Sequence, residues 1–575
     1  MRATSLGQAG ILIETEQASI VCDPWFVPAF FGSWFVFPRN DQLGDELMAR
    51  IENADYLYVS HLHGDHFDEP WLADHIRRDI QVLVPGYPSR ELDQRLRALG
   101  FTNLVRTMDA EETDLGGGLT VAIHVETSIT DGPGGDSALV VSDGVSRLVN
   151  QNDCRTTDLD ALAAHGPVDL HWLQYSGAIW YPMVYEMDDG TMRHLVDAKV
   201  ESQLTRAMRY VESINARAIV PSAGPPCFLD DALFHLNIVD GDAESAPSIF
   251  VDQRTFLQRL DASGHHGLLA IPGTTIDVQS GSVTLEHPIA EADVAAIFER
   301  KGEYLAGYKA DWSGWLDGMH ATWQAQPETD LIPTLQEWWE PLLAACPTVR
   351  EGIGAACLLR AGNVEILIDF PAGTVRAYAG EAYGFRFEIE RPLVERVVAD
   401  RAVDWSNSLF LSCRFRAWRV AEFNEYVYNF FKSLSAARMR RTEAEALRKL
   451  HPPTETEPDI ELDGWIMQRR CPHRNADLSV FGEVTDCELV CTLHGWRFDL
   501  ETGKCLTSAG HELRVRKASD PDQPPTQGGR GLALPLVEGS GEPNLPPQQT
   551  EAPVTEAEDF GAEDGPGFAG PSAAP

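Results

Sequence analysis

Positive charge is scarce in this sequence: 46 Lys and Arg face 87 Asp and Glu, for a formal charge of −41. That balance excludes a nucleic-acid backbone or an anionic membrane as a general partner, because a phosphate polymer would meet a surface of its own sign. Long apolar runs are missing too. No stretch approaches the eighteen residues that a membrane span requires, and "MRATSLGQAGILIETEQ" has no apolar segment behind a basic start, so the expectation is a cytoplasmic, soluble chain. Cysteine is sparse, with ten in 575 residues. Such scattered thiols suit metal ligation or a reduced state better than a disulfide framework.

At 575 residues one hydrophobic core is not enough, and the sequence divides accordingly. Up to about residue 245, β-rich runs such as "ILIETEQASIVCDPWF", "QVLVPG", "ALVVSDGVSRLVN" and "RAIVPS" alternate with helical patterns, an α/β arrangement. Residues 246–450 form an α+β middle domain, in which "LIPTLQEWWEPLLAA" reads as a helix, "VEILIDFPAGTVRAYAG" as a hairpin and "AEFNEYVYNFFKSLSAARMRRTEAEALRKL" as one long helix. The aromatic side chains between Asp404 and Leu434 read as core packing. The segment 451–464 is a Pro-rich acidic linker, residues 465–538 a small all-β domain, and residues 539–575, with seven Asp or Glu and no Lys or Arg, a disordered acidic tail.

Two clusters of chemistry-bearing residues stand out. In "SHLHGDH", His61, His63, Asp65 and His66 follow the apolar run Tyr56–Val59, so they occupy a loop leaving a strand. Imidazole and carboxylate at alternating positions suit zinc, iron or manganese and can face two neighbouring metal sites. Asp153, after the strand "SRLVN", and His235, after "AIVPSAGPPCFLDDALFH", are placed where a strand-end loop could reach the same metals. The two carboxylates, Asp65 and Asp153, are the expected catalytic groups. In the second cluster Cys471, His473, Cys491 and His494 give C-x-H, seventeen residues, then C-x2-H. Two thiolates and two imidazoles are the ligand set of a Rieske [2Fe–2S] centre. A Cys2His2 zinc site is the alternative.

The segments "CPHRNADLS" and "CTLHGWRFDLETGKC" resemble Rieske oxygenase domains and ferredoxins, and Cys487 and Cys505, off the ligand pattern, read as small apolar packing groups. The first 240 residues resemble the metallo-β-lactamase fold, an αββα sandwich, with "CDPWF" at Cys22–Phe26 similar to that family's early strand-end aspartate motif. The resemblance implies that three histidines bind one metal, that Asp65, His66 and a late histidine bind the other, and that Asp153 is shared. His124, in "VAIHVETSITDG", is then the candidate third histidine, with Asp131 as the alternative, and His235 the late one.

Zinc carries no electrons, whereas iron in a histidine and carboxylate site can use them, so a Rieske centre beside a two-metal site implies dioxygen activation. Together with "SHLHGDHFDEPWL", "VNQNDC", "QYSGAIWYPMVY" and "AIVPSAG", this combination resembles the CMP-N-acetylneuraminate hydroxylase family. The resemblance implies two metal ions, iron with zinc as the alternative, and a small-molecule substrate such as a sugar nucleotide or natural-product intermediate. Electrons would come from a ferredoxin or cytochrome served by an NAD(P)H reductase. The family's animal members carry the Rieske domain at the N-terminus, so the resemblance implies reaction class rather than substrate. Two competing readings are a dinuclear zinc phosphodiesterase or lactonase with a redox-sensing Rieske domain, and an electron-transfer protein whose first domain is a docking platform. A homo-oligomer is a further expectation, since a head-to-tail neighbour could bridge distant centres.

Overall fold

The first hairpin is buried on both faces: Gly10–Glu14 and Ser19–Cys22 pair antiparallel, with Ile11 opposite Cys22 and Ile13 opposite Ile20 on one face and Leu12 and Val21 on the other. The computed structural model describes residues 1–526 apart from 88, 127–134, 178, 240–246, 280, 421–422, 451–456, 473–475, 486, 493–495, 507–511 and 520–525. The expected acidic tail, and with it residues 539–575, lies outside the described residues.

Among the described residues fourteen strands make the first domain. They are β1 (Arg2–Gly7), β2 (Gly10–Glu14), β3 (Ser19–Cys22), β4 (Tyr56–Tyr58), β5 (Gln81–Val84), β6 (Leu104–Arg106) and β7 (Glu112–Gly116), followed by β8 (Leu119–Glu126), β9 (Asp136–Ser142), β10 (Arg147–Asn152), β11 (Leu170–Gln174), β12 (Ala218–Ser222), β13 (Thr275–Gln279) and β14 (Ser282–Glu286). One sheet runs β14-β13-β1-β2-β3-β4-β5-β6 and the other β12-β11-β10-β9-β8-β7. Their facing sides bury Ile11, Ile13, Tyr58, Ile123, Leu139 and Trp172 in one core, while on the outer face of the first sheet Leu57 and Val59 share a core with Trp71 and Leu72 of the helix Glu69–His75. Two facing sheets under helices make an αββα sandwich, the architecture expected from the sequence. The first sheet takes in Thr275–Glu286, so the first domain reaches beyond the boundary expected at residue 245. β13 is drawn there because it pairs with the exposed edge of β1, Ala3 opposite Ile276.

Helix α1 (Asp189–Ile214) begins earlier than its apolar periodicity suggests, because the Asp188 carboxylate caps it by accepting from Thr191 N at 3.0 Å. Asn215, left-handed at φ 49°, ends it.

The middle domain carries β15 (Cys357–Ala361), β16 (Val364–Asp369), β17 (Thr374–Ala377), β18 (Phe385–Ile389) and β19 (Phe415–Arg419) in the order β17-β16-β15-β18-β19, including the predicted β16-β17 hairpin. Helix α2 (Leu331–Ala344) lays Trp339 into its core against Trp405, Phe430 and Phe431. The long helix expected from Ala421 is instead two, α3 (Glu425–Phe431) and α4 (Ala436–Leu450). Between them Leu434 leaves the helical path to exchange backbone and indole contacts: its N–H donates to Val403 O at 2.9 Å, and its carbonyl accepts from Trp338 Nε1 at 3.0 Å.

The last domain holds two three-stranded sheets, β20 (Ile460–Leu462), β21 (Trp465–Met467) and β25 (Val515–Lys517), and β22 (Gly482–Thr485), β23 (Glu488–Cys491) and β24 (Trp496–Asp499). The end of the supposed linker is thus structured. Ile460–Leu462 forms a hairpin with Trp465–Met467 through Asp463 and Gly464, both at positive φ, the geometry of a tight hairpin turn. Among the described residues no helix is long and apolar enough to cross a membrane.

Candidate metal centre

The C-terminal ends of β4 and β10 and the start of β9 lie on one rim of the sandwich, the usual position for ligand-binding loops in sheets of this kind. From β4 comes the loop Ser60–His66. It is held from below by buried hydroxyls: Tyr58 donates to Ser137 O at 3.0 Å, Ser137 Oγ donates to Ser60 O at 2.9 Å, and Tyr87 also donates to Ser60 O. Asn152, just before Asp153, donates to Ser137 O at 2.9 Å and so ties the β10 end to the same strut.

On this base the loop brings its histidines together. His61 Nε2 lies 2.7 Å from His63 Nδ1, and His61, His63 and Asp153 offer ligand atoms all within 4.8 Å of one another. On the other side of Asp153, His66 Nε2 is 3.1 Å from Asp153 Oδ1 and 3.8 Å from Asp65 Oδ2. Asp153 therefore faces two groups of side chains, His61 and His63 on one side and His66 and Asp65 on the other. Among the described residues His63 Nε2 is buried with no hydrogen-bond partner, and His66 Nε2 and Asp153 Oδ1 have one another, 3.1 Å apart. The grouped imidazoles and carboxylate of His61, His63 and Asp153 are a donor set for a divalent cation.

Burial alone would keep His66 neutral, but the carboxylates of Asp153 and Asp65 outweigh it and favour positive charge there. Burial would raise Asp153, yet His66, His61 and His63 hold it ionised, well below the usual carboxylate range. His63, buried beside His61, is kept neutral, with Lys432 of the middle domain acting in the same direction. This is a field that favours a cation between the two groups.

Two carboxylates that orient the ligands come from distant strand ends. Asp23, wholly buried after β3, accepts from Ser60 N at 2.7 Å and Ser60 Oγ at 2.6 Å, and its Oδ2 lies 2.9 Å from His66 Nδ1. Asp136 Oδ1 lies 3.2 Å from His61 Nδ1. Fixing the outer nitrogen leaves the inner one available to a metal. Gln8, Asp23, Asn152 and Ala223 all adopt left-handed backbone, φ 53°, 42°, 42° and 50°, and Gln8 Nε2 donates to Asp65 at 3.2 Å. Strain of this sort persists where surrounding contacts over-determine it. Replacing Asp23 by Asn should lower metal affinity about 10- to 100-fold. Metal retained after dialysis against a weak chelator measures this, and unchanged retention would deny Asp23 that orienting role.

Two expected ligands stand elsewhere. His124, in β8, directs its Nε2 at His165 Nε2, 2.8 Å away, rather than joining the cluster. Asp131 lies outside the described residues. His235 is exposed on the single turn Phe234–Leu236, because Asn237 bonds back to Phe228 and turns the chain to the surface. Burial and the neighbouring His165 lower His124 to about 4. Between about 6.5 and 4 the unfolded chain therefore binds a proton that the folded chain refuses, so stability present above 6.5 is lost as pH falls. In a His124→Gln variant the fall in Tm across that range should be shallower than in the parent.

In the last domain Cys471 and Cys491 are both buried, Cys471 with its N–H on Ala476 O at 2.9 Å and Cys491 at the end of β23. His473 and His494 lie outside the described residues. Cys487 is exposed rather than packed, since it sits in the turn between β22 and β23, and Cys505 is half-buried. The buried thiols share one apolar core with Phe481 of this domain and with Met208 and Tyr210 of α1.

Residues 462–515 match the Rieske [2Fe-2S] domain family, and residues 331–448 the family described as Rv3818-like, SCP2-like domain. Protein Rv3818 of Mycobacterium tuberculosis, provisionally named a Rieske 2Fe-2S iron-sulfur protein, is 43% identical over 522 residues, 89% of this chain and 99% of its own length. The chain belongs to the Rv3818-like Rieske iron–sulfur proteins. A Rieske 2Fe-2S protein of Mycolicibacterium smegmatis, likewise provisionally named, is 42% identical over 529 residues, 90% of this chain and all of its own. The matched Rieske [2Fe-2S] domain spans Cys471 and Cys491. The chain is also similar to cytidine monophosphate-N-acetylneuraminic acid hydroxylase of Danio rerio, 26% identical over 232 residues, 38% of this chain and 37% of the fish protein. Among solved structures it is similar to CmlA, a diiron β-hydroxylase from Streptomyces venezuelae, at 18% identity and TM-score 0.32, covering 48% of this chain and 54% of that one.

Proposed function

We propose that this Rv3818-like protein is an oxygenase: it hydroxylates a small-molecule substrate with dioxygen and electrons from an external donor, a ferredoxin or cytochrome served by an NAD(P)H reductase. The observation that supports this most directly is the seating of the Rieske domain on the first domain of the same chain. Phe481 packs against Tyr210 of α1 with ring centroids 6.0 Å apart, Arg209 pairs with Glu483, and the Tyr210 hydroxyl donates to Thr156 O at 3.1 Å, three residues beyond Asp153. An electron carrier is thereby attached to the loop that bears the shared carboxylate.

When bound, a Rieske cluster supplies electrons singly and an iron pair in a histidine and carboxylate site supplies dioxygen chemistry. Around them the chain does the positioning. His61, His63 and Asp153 would hold one ion, and Asp65, His66 and Asp153 the other. Asp136 and Asp23 fix the outer nitrogens of His61 and His66. Lys432 brings positive charge from the middle domain to the His63 side.

Reductive titration of oxygen-free protein tests the reading. The parent should accept about three electrons per chain, one at the Rieske centre and two at the iron pair, and a His61→Ala, His63→Ala variant about one. One electron in both would leave a zinc hydrolase carrying a redox domain.

A further inference from the structure

Two successive aromatic residues at the rim hold a backbone that bulky side chains rarely adopt. After β3 the chain turns through Phe30, Phe31 and Gly32, all left-handed at φ 50°, 58° and 65°. Because β3 and β4 run parallel, this turn leaves the same end of the sheet as the loop Ser60–His66. It is closed on itself by Ser33, whose N–H donates to Ala29 O at 3.1 Å, and by the pairing of Ala29 with Trp34. Such strain persists where outside contacts over-determine it, and here they come from much later in the chain.

Arg414, just before β19 of the middle domain, supplies them. Its Nε donates to Phe31 O at 3.2 Å and its Nη2 to Gly32 O at 3.4 Å, while Nη2 also pairs with Asp230 Oδ2 at 2.7 Å. The Arg414 and Asp230 side chains are 10% and 4% exposed, so water competes little with this clamp. Trp323, on the helix Lys301–Gln324, backs both partners: its ring lies 5.3 Å from the Arg414 guanidinium and 6.2 Å from the Phe31 ring. On the same helix Trp315 and Met319 press on Gly32, where a Cβ would meet them at 3.0 and 3.1 Å. The two rings of the turn thus part ways. Phe31 faces Trp323, whereas Phe30 packs edge-on to Trp34 at 4.6 Å and stays half-buried, its Cε1 3.8 Å from where a Cβ of Gly64 would stand. Gly64 lies between His63 and Asp65 and puts no side chain between that ring and the loop.

We propose that Phe30 is an apolar wall of the substrate site, standing beside His63 and Asp65, and that Arg414 is the positioning residue that holds it there. The substrate is then a molecule with an aromatic or other flat apolar group next to the atoms that react. This rests on the proposed function in treating the rim as a metal centre that receives a substrate. A half-buried ring offers its free face or edge to a second ring, the arrangement aromatic pairs favour. The clamped turn fixes the ring before anything binds, so little ordering is left to binding itself. Through one side chain the middle domain gains a share in specificity.

The probes are acetohydroxamate and benzohydroxamate, titrated by calorimetry into the full-length, metal-loaded protein kept free of oxygen. Both present the same chelating oxygens to a metal and differ in a methyl against a phenyl group, so the ratio of their affinities reads the wall apart from the metal. Benzohydroxamate should bind the parent about tenfold tighter or more, a ratio that Phe30→Ala should cut at least about fivefold and Phe30→Tyr should keep. Arg414→Gln combined with Asp230→Asn removes both charges, so that neither is left buried alone, and should lower the ratio with Phe30 intact and the Rieske visible spectrum unchanged. Equal affinities or no binding in the parent, or a ratio that survives Phe30→Ala or the double variant, overturns the proposal. So does binding of either probe that persists in the His61→Ala, His63→Ala protein. Chelation consumes no electrons, so failure of the oxygenase reading would show separately, in the electron count.

Discussion

Replacing His61 and His63 with alanine should remove about two irons per chain and leave acid-labile sulfide at about two. The parent, purified without oxygen, should hold about four irons, two in the Rieske cluster and two on the rim. The reason lies in how the ligands are shared. His61, His63 and Asp153 meet within 4.8 Å, and Asp153 also stands 3.1 Å from His66. Deleting two of three ligands removes the first ion and with it what orders the shared carboxylate, so the second ion loses its support. A variant that kept three irons would mean the His66 group binds independently. Two irons and two zincs in the parent would sink the oxygenase reading.

Trp339→Ala should destabilise the middle domain by about 3–5 kcal/mol. Trp339 is wholly buried, with rings of Trp405 at 5.1 Å, Phe431 at 5.9 Å and Phe430 at 6.1 Å, so truncation opens a cavity among rigid neighbours that cannot collapse into it. Phe431 ends α3, and Lys432, the next residue, acts on His63. The loss should therefore reach the metal rim. A chain of several domains unfolds in more than one step, so the measurement is the midpoint of the near-ultraviolet transition, compared with the visible signal of the Rieske cluster. Equal midpoints in variant and parent would show that the aromatic cluster carries no such share.

The contiguous part of the site was legible in the sequence because four of its groups, His61, His63, Asp65 and His66, occupy one loop, and the local spacing alone betrays them. Asp23 was visible only through its motif, and Asp136 not at all: it reads as an ordinary turn residue before β9, and only antiparallel pairing of β9 with β10 brings it to the rim. His124 misled for the converse reason. A histidine in a strand of the right fold invites assignment as a ligand, but strand alternation turned it toward His165. His235 followed the correct strand, yet the intervening loop carried it to the surface. The break between α3 and α4 escaped the helical pattern because it is dictated by Val403 and Trp338, residues remote in sequence. The Rieske domain was readable from the spacing of two cysteine–histidine pairs, each confined to a few residues, and the family match over 462–515 agrees.

If the chain is the proposed oxygenase, the apolar seam between the Rieske domain and α1 sets the kinetics of electron delivery. Because Leu478 and Phe481 share a core with Leu204, Met208 and Tyr210, undocking would expose that surface to water, and the carrier stays with its own chain instead of searching for a partner. Discharge of the reduced cluster would then be unimolecular, its rate indifferent to protein dilution, and only recharging by the outside donor would depend on concentration.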